Sequence, residues 1–192
     1  MNLPTVLTFL RIPLTVVIIA LLSTPGWIAK AAALGCFLLA GVTDWLDGRL
    51  ARRWNQCSAF GALLDPVADK VLILGVFLGL LWLELMPAWM VGVVVFREVL
   101  VTGIRLAAAR RGVVISAAKE GKHKLASQVL AIVVILSVLV LREWAWPAPL
   151  SAPTELWLGR LITACLWLTV TLTLISGVSF CWRQRALLRS AL

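Results

Sequence analysis

Apolar runs long enough to cross a bilayer follow one another along nearly the whole chain, broken by short polar or turn-forming segments, and this leaves no water-soluble fold open to it. Of 192 residues, 61% are hydrophobic and only 14% are charged. A soluble domain of this size hides only about 70% of the surface its extended chain exposes, too little for such a composition. The runs predict six helices over about 5–22, 28–54, 61–83, 87–110, 125–141 and 154–182. Their apolar stretches come close to the ~20 residues that span hydrocarbon. Ser23, Thr24, Pro25 and Gly26 mark the first turn, Pro87 suits a first helical position, and a Pro- and Trp-bearing stretch, 144–153, separates the last two helices. No repeat is evident, so 1–192 reads as a single all-α integral membrane domain with six transmembrane helices.

Basic residues set the orientation. On a six-span path Arg11, Arg49, Arg52, Arg53, Arg105, Arg110, Arg111, Lys119, Lys122, Lys124, Arg183, Arg185 and Arg189 fall on one side, and Lys30, Arg142 and Arg160 on the other. The positive-inside rule then makes both termini cytoplasmic and predicts a cell inner (cytoplasmic) membrane protein. No basic segment precedes the first run and Arg11 interrupts it, so that run is expected to stay as a span and not to be cleaved. The net charge of +9 favours anionic membrane lipids and phosphorylated substrates as partners. With no aromatic-interleaved basic face, nucleic acid is excluded. Most of the ten tryptophans, among them Trp27, Trp82, Trp89, Trp144, Trp146 and Trp182, stand near helix ends, as an interfacial belt requires. Cys36, Cys57, Cys165 and Cys181 neither form a CxxC pair nor cluster with His123, and read as small hydrophobes.

Four of the nine acidic residues lie at 44–69, at the cytoplasmic ends of helices two and three. Carboxylates beside hydrocarbon are costly and are kept for function or for ion pairs, such as Asp44 with Arg52 or Asp69 with Lys70. Asp44 and Asp47 are three apart with Gly48 and Ala51 on the same helical face, and Asp65 and Asp69 are four apart on theirs. If the two helices are antiparallel neighbours, these faces converge. Four gathered carboxylates need cations between them, and an all-oxygen set selects Mg2+ or Mn2+. Gly48 and Ala51 would let a flat base and a pyrophosphate approach the helix, with Arg52 as a bidentate phosphate partner.

Asp44, Asp47, Gly48, Ala51, Arg52, Gly61, Asp65 and Asp69 also stand at the spacing DxxDGxxAR, eight residues, GxxxDxxxD. In this the chain resembles the CDP-alcohol phosphotransferase family. The resemblance implies a six-helix membrane fold, commonly a homodimer, with a polar cavity open to the cytoplasm. It implies two metal ions held by Asp44, Asp47, Asp65 and Asp69, with Asp69 also the catalytic base. Asp47, Gly48, Ala51, Arg52 and Gly61 would line the CDP site.

Beyond the motif the chain is most similar to the branch of that family whose substrates are CDP-diacylglycerol and glycerol 3-phosphate. That likeness includes Pro4, Thr5, Thr8 and Arg11 at the start, Arg97, Glu98 and Arg105, and Gly121, Lys122, His123, Lys124 and Gln128, although Leu125 stands where that branch often has threonine. An acceptor bearing its own phosphate needs further cations. Arg105, Lys122 and Lys124 are the best candidates, followed by Arg11 and Arg97, whereas Arg110, Arg111, Lys119 and the C-terminal arginines read as topology-setting charge. Arg97 lies ~15 Å into its helix and requires a partner such as Glu98 or a substrate phosphate. His123 is expected in a loop between two lysines, in a solvated role. The alternatives are another acceptor (inositol phosphate, serine or phosphatidylglycerol) and a cation transporter, the latter disfavoured by the lack of an inverted repeat.

Overall fold

The computed structural model describes the backbone over 3–54, 59–110, 119–146, 148 and 150–185, and side chains over 11–43, 70–108 and 123–185 except 147 and 149. Cys57 lies outside these residues. Six helices account for almost all of it: α1 (Leu3–Ser23), α2 (Trp27–Trp54), α3 (Ala59–Trp82), α4 (Ala88–Arg110), α5 (Lys119–Trp144) and α6 (Ala152–Arg183). The sequence expectation holds to within two residues except at α5, which starts six residues earlier than the apolar run. His123 therefore sits on a helix and not in a loop. Apolarity marks where a helix enters hydrocarbon, whereas backbone hydrogen bonding begins a turn or more before it.

The core runs through all six helices. Ile18 and Leu22 of α1 meet Ala33, Phe37 and Ala40 of α2, Val76, Phe77 and Leu80 of α3, Val94 of α4, Ile132, Ile135 and Leu136 of α5, and Val170 of α6. The outer surface is apolar as well, with Val16, Ile28, Leu39, Phe96, Val99 and Val178 exposed. Arg11, Glu98, Lys124, Gln128, Thr169, Thr173 and Ser176 are buried. Apolar outside and polar within is what a hydrocarbon solvent demands. Residues 123–144 and 152–183 are long and apolar enough to cross a membrane on their own. Trp27, Trp82, Trp89, Trp144, Trp146 and Trp182 are all exposed near helix ends, where an aromatic belt places them. Cys36, Cys165 and Cys181 are free and partly buried.

Specific contacts fix the helix directions. Thr15 spends its hydroxyl on the Arg11 carbonyl at 2.7 Å and turns its methyl to Gly75, where a Cβ would collide with it. One turn on, a Cβ at Gly79 would lie 3.1 Å from Ile19 Cγ1. Helices α1 and α3 thus run parallel and touch backbone to backbone through a small-xxx-small stripe. Helix α2 folds back on α1 through a turn in which Gly26 adopts φ 104°, a conformation glycine takes without strain. Buried Lys30 then donates to the Leu22 and Thr24 carbonyls. Helix α2 is therefore antiparallel to both α1 and α3. Ser127 with Thr169 and Arg142 with Glu155 make α5 and α6 antiparallel. Trp89 with Trp167 and Arg97 with Ser176 make α4 and α6 parallel. The alternation brings the starts of α1, α3 and α5 and the ends of α2, α4 and α6 to one face of the bundle.

Candidate active site

Helix α2 carries Asp44, Asp47, Gly48, Ala51 and Arg52 on its last turns, and α3 carries Gly61, Asp65 and Asp69 on its first. The side chains of these residues, and that of Lys122 on α5, lie outside the described residues. Their heights follow from the helix bounds. Asp47 lies ~10 Å before the end of α2 and Asp65 ~10 Å after the start of α3, with Asp44 and Asp69 ~15 Å from the same ends. The two helices are antiparallel, so both sets of aspartates lie toward the same face of the bundle. Both α2 and α3 pack on α1 and on α5.

Just inward of that level Arg11, Phe37, Ala40, Gly41, Leu72 and Leu125 border a cavity of about 450 Å³ among α1, α2, α3 and α5. Arg11 is only 4% exposed despite its charge. Thr43, next to the first aspartate, keeps its hydroxyl on the Leu39 and Ala40 carbonyls at 2.9 and 3.0 Å. It offers that proton to the helix and not to a ligand.

Beside the acidic helices lies a buried ionic cluster. Glu98, in the middle of α4 and 6% exposed, accepts on Oε1 from the Lys124 ammonium of α5 and from Arg97 Nη1 at 3.0 Å. Arg97 Nη2 donates to Ser176 Oγ of α6 at 2.7 Å, and its stem packs against Gly177, where a Cβ would lie 3.2 Å from Arg97 Cγ. Thr102 donates to the Glu98 carbonyl at 2.6 Å and accepts from the ammonium of Lys70, the residue after Asp69. Four helices are thus joined around one carboxylate. Arg105, two turns beyond Glu98, lays its guanidinium over the Phe180 ring at 5.6 Å, and its buried Nε has no hydrogen-bond partner among the described residues.

The structure brings the sequence candidates Arg97 and Lys124 together on Glu98, and places Arg11 and Arg105 elsewhere, on the cavity wall and over Phe180. Lys124 is a buried ion-pair member, 5% exposed. Sequence reasoning missed Lys70 and Thr102 as parts of this layer. The signal for Thr102 is its place one turn after a lone acid in an apolar span, where its hydroxyl reaches that acid's carbonyl.

The fold is thus an α-helical bundle, apolar outside with an ionic layer inside, that carries four aspartates on two antiparallel helices. A profile of the CDP-alcohol phosphatidyltransferase family matches residues 1–183, and the chain belongs to that family. It is 35% identical over 188 residues to the CDP-diacylglycerol--glycerol-3-phosphate 3-phosphatidyltransferase of Bacillus subtilis (strain 168), covering 92% of this chain and 91% of that one. It is 37% identical over 182 residues to a probable phosphatidylglycerophosphate synthase of Mycobacterium tuberculosis (strain CDC 1551 / Oshkosh), covering 93% and 79%. A cardiolipin synthase (CMP-forming) of Streptomyces coelicolor is 51% identical over 73 residues, 38% of this chain and 32% of that protein.

Proposed function

We propose that this protein transfers the phosphatidyl group of CDP-diacylglycerol to glycerol 3-phosphate, giving phosphatidylglycerophosphate and CMP. The observation that carries the reading is that Asp44 and Asp47 lie on the last turns of α2 and Asp65 and Asp69 on the first turns of α3, two antiparallel helices. The near full-length relatives named for this reaction support it. The cardiolipin synthase likeness favours phosphatidylglycerol as acceptor, but it covers too little of either chain to outweigh them.

The donor set fits the expected metal: four carboxylates on paired helices supply hard oxygen ligands, and beside them lie Arg11 and Lys70, which suit the anionic substrates the ions would help to hold. Two Mg2+ or Mn2+ ions held by Asp44, Asp47, Asp65 and Asp69 would neutralise the pyrophosphate and the charge that develops as CMP departs. Asp47, Gly48, Ala51, Arg52 and Gly61 form the CDP subsite, the small residues admitting the base and Arg52 gripping phosphate oxygens. Asp69 takes the proton of the acceptor hydroxyl as its oxygen forms a bond to the lipid-linked phosphorus and the bond from that phosphorus to CMP breaks. Arg105, Lys122 and Lys124, with Arg11 and Arg97, balance the acceptor's phosphate and hold its hydroxyl in line. The face bearing the starts of α1, α3 and α5 is cytoplasmic in this reading, both termini included. The chain is one domain of the cytoplasmic membrane and works as a homodimer.

The test is CMP release by purified protein given CDP-diacylglycerol and, in turn, glycerol 3-phosphate, phosphatidylglycerol, serine and inositol phosphate. Release that depends on glycerol 3-phosphate is expected. A preference for phosphatidylglycerol would move the chain to the second reading.

A further inference from the structure

We infer that Glu98 is a positioning residue for the acceptor's phosphate, holding the cations of α4 and α5 where that phosphate arrives. The inference rests on the acceptor named above and adds a residue that never touches the substrate. Its carboxylate anchors Lys124 and Arg97 directly. Its carbonyl anchors Thr102, which in turn receives Lys70.

Lys124 and Arg97 share the one Glu98 carboxylate. A carboxylate shared by two cations leaves each only partly neutralised, and buried charge of that kind favours an anion beside it. The layer also lies at the right height, because Lys70 directly follows Asp69 on α3. A dianionic phosphate bound near the base would thus meet ammonium groups already fixed by hydrogen bonds. A lysine side chain carries about 2 kcal/mol of rotamer entropy. Fixing it before the substrate binds spares the acceptor that cost. The carboxylate's reach is specific, since one Oε1 serves donors from α4 and α5 at once. Aspartate, one methylene shorter, would keep the charge and release one of the two. A purely structural ion pair would hold α4 to α5 equally well, but would not distinguish between the two substrates.

The experiment measures KM for each substrate and kcat on the full-length purified protein with Glu98→Asp, Glu98→Ala, Lys124→Ala and the double variant E98A/K124A. For Glu98→Asp, the KM for glycerol 3-phosphate is expected to rise ~10-fold, with the CDP-diacylglycerol KM within about twofold and kcat within about threefold. The double variant should lose less for the acceptor than the two single losses summed, because Glu98 acts in part through Lys124. Parallel rises in both KM values, an unchanged acceptor KM in Glu98→Asp, or additive losses in the double variant would each overturn the inference. Should Glu98→Ala fail to yield folded protein, the KM split of Glu98→Asp decides alone. A wild-type protein that ignores glycerol 3-phosphate sinks the acceptor assignment, and this inference with it. A wild-type protein that uses glycerol 3-phosphate, beside a Glu98→Asp variant with unaltered acceptor KM, sinks only the role of Glu98.

Discussion

The methyl of Thr15 occupies the space that a side chain at Gly75 would need. This contact sets how closely α1 approaches α3, and so the level at which Arg11 stands on the cavity wall. Thr15 cannot yield easily, because it is β-branched and its hydroxyl is bonded to Arg11. Gly75→Ala is expected to destabilise the protein by about 1–3 kcal/mol through overpacking. Gly79→Ala, facing Ile19 at 3.1 Å, should cost less. Thermal unfolding of the purified variants in one detergent ranks them, and an equal or reversed order would remove the parallel α1–α3 contact from the account.

Asp69→Asn removes the proposed base while keeping size and shape. The expected loss of CMP release is roughly 100-fold to 10,000-fold, the usual range for a general base. Binding of CDP-diacylglycerol, followed by protection against thermal unfolding, should survive in part, because three other carboxylates remain. Turnover near that of the wild type would show that the proton leaves by another route.

Chelation should stop CMP release by the wild-type protein completely, and added Mg2+ or Mn2+ should restore it. Four carboxylates without cations would repel one another, so the chelated protein is also expected to melt at a lower temperature. Asp65→Asn, with one fewer repelling charge, should show a smaller drop on chelation. The pair of melting curves tests the charge argument independently of turnover.

Lys30 lies at the end of α2 opposite its aspartates, buried against the Leu22 and Thr24 carbonyls. Lys30→Met would keep the stem and leave those carbonyls without their donor, at a cost of about 1–3 kcal/mol. Neither KM should change. By contrast, Glu155→Gln breaks a pair with Arg142 at 2.8 Å whose members are each more than a third exposed, and stability should fall by less than about 1 kcal/mol. Unfolding midpoints for the two variants make the comparison.

The six helices were legible because a hydrocarbon solvent leaves one readable demand, a long apolar run between turn residues. The acidic motif was legible because its spacing puts each pair of aspartates on one helical face. The start of α5 was not, since the polar turns from Lys119 to Lys124 carry no apolar signal yet are helical. The ionic layer was legible in part. Arg97 demanded a partner and Glu98 was its nearest candidate, but that Lys124 would join the same oxygen depends on where α5 packs on α4, which spacing along the chain cannot supply. The link from Lys70 to Thr102 has the same origin. Helix direction puts the aspartates of α2 and α3 toward one face of the bundle, and their side chains lie outside the described residues.

Arg105 provides the sharpest test of acceptor recognition outside that layer. Its guanidinium rests over Phe180, and its buried Nε has no hydrogen-bond partner among the described residues. A cation held by a ring face keeps its N–H edge available to an anion. A charge-assisted hydrogen bond contributes about 1.5–3 kcal/mol, so Arg105→Ala should raise the KM for glycerol 3-phosphate by roughly 10-fold to 150-fold. Arg105→Lys should recover only part of this, because an ammonium loses the planar fork. Phe180→Leu, which removes the ring but keeps the apolar contact, should raise the same KM a fewfold and leave that for CDP-diacylglycerol unchanged. If Arg105→Ala instead weakens CDP-diacylglycerol, this arginine belongs to the donor side and the acceptor's phosphate lies nearer α5.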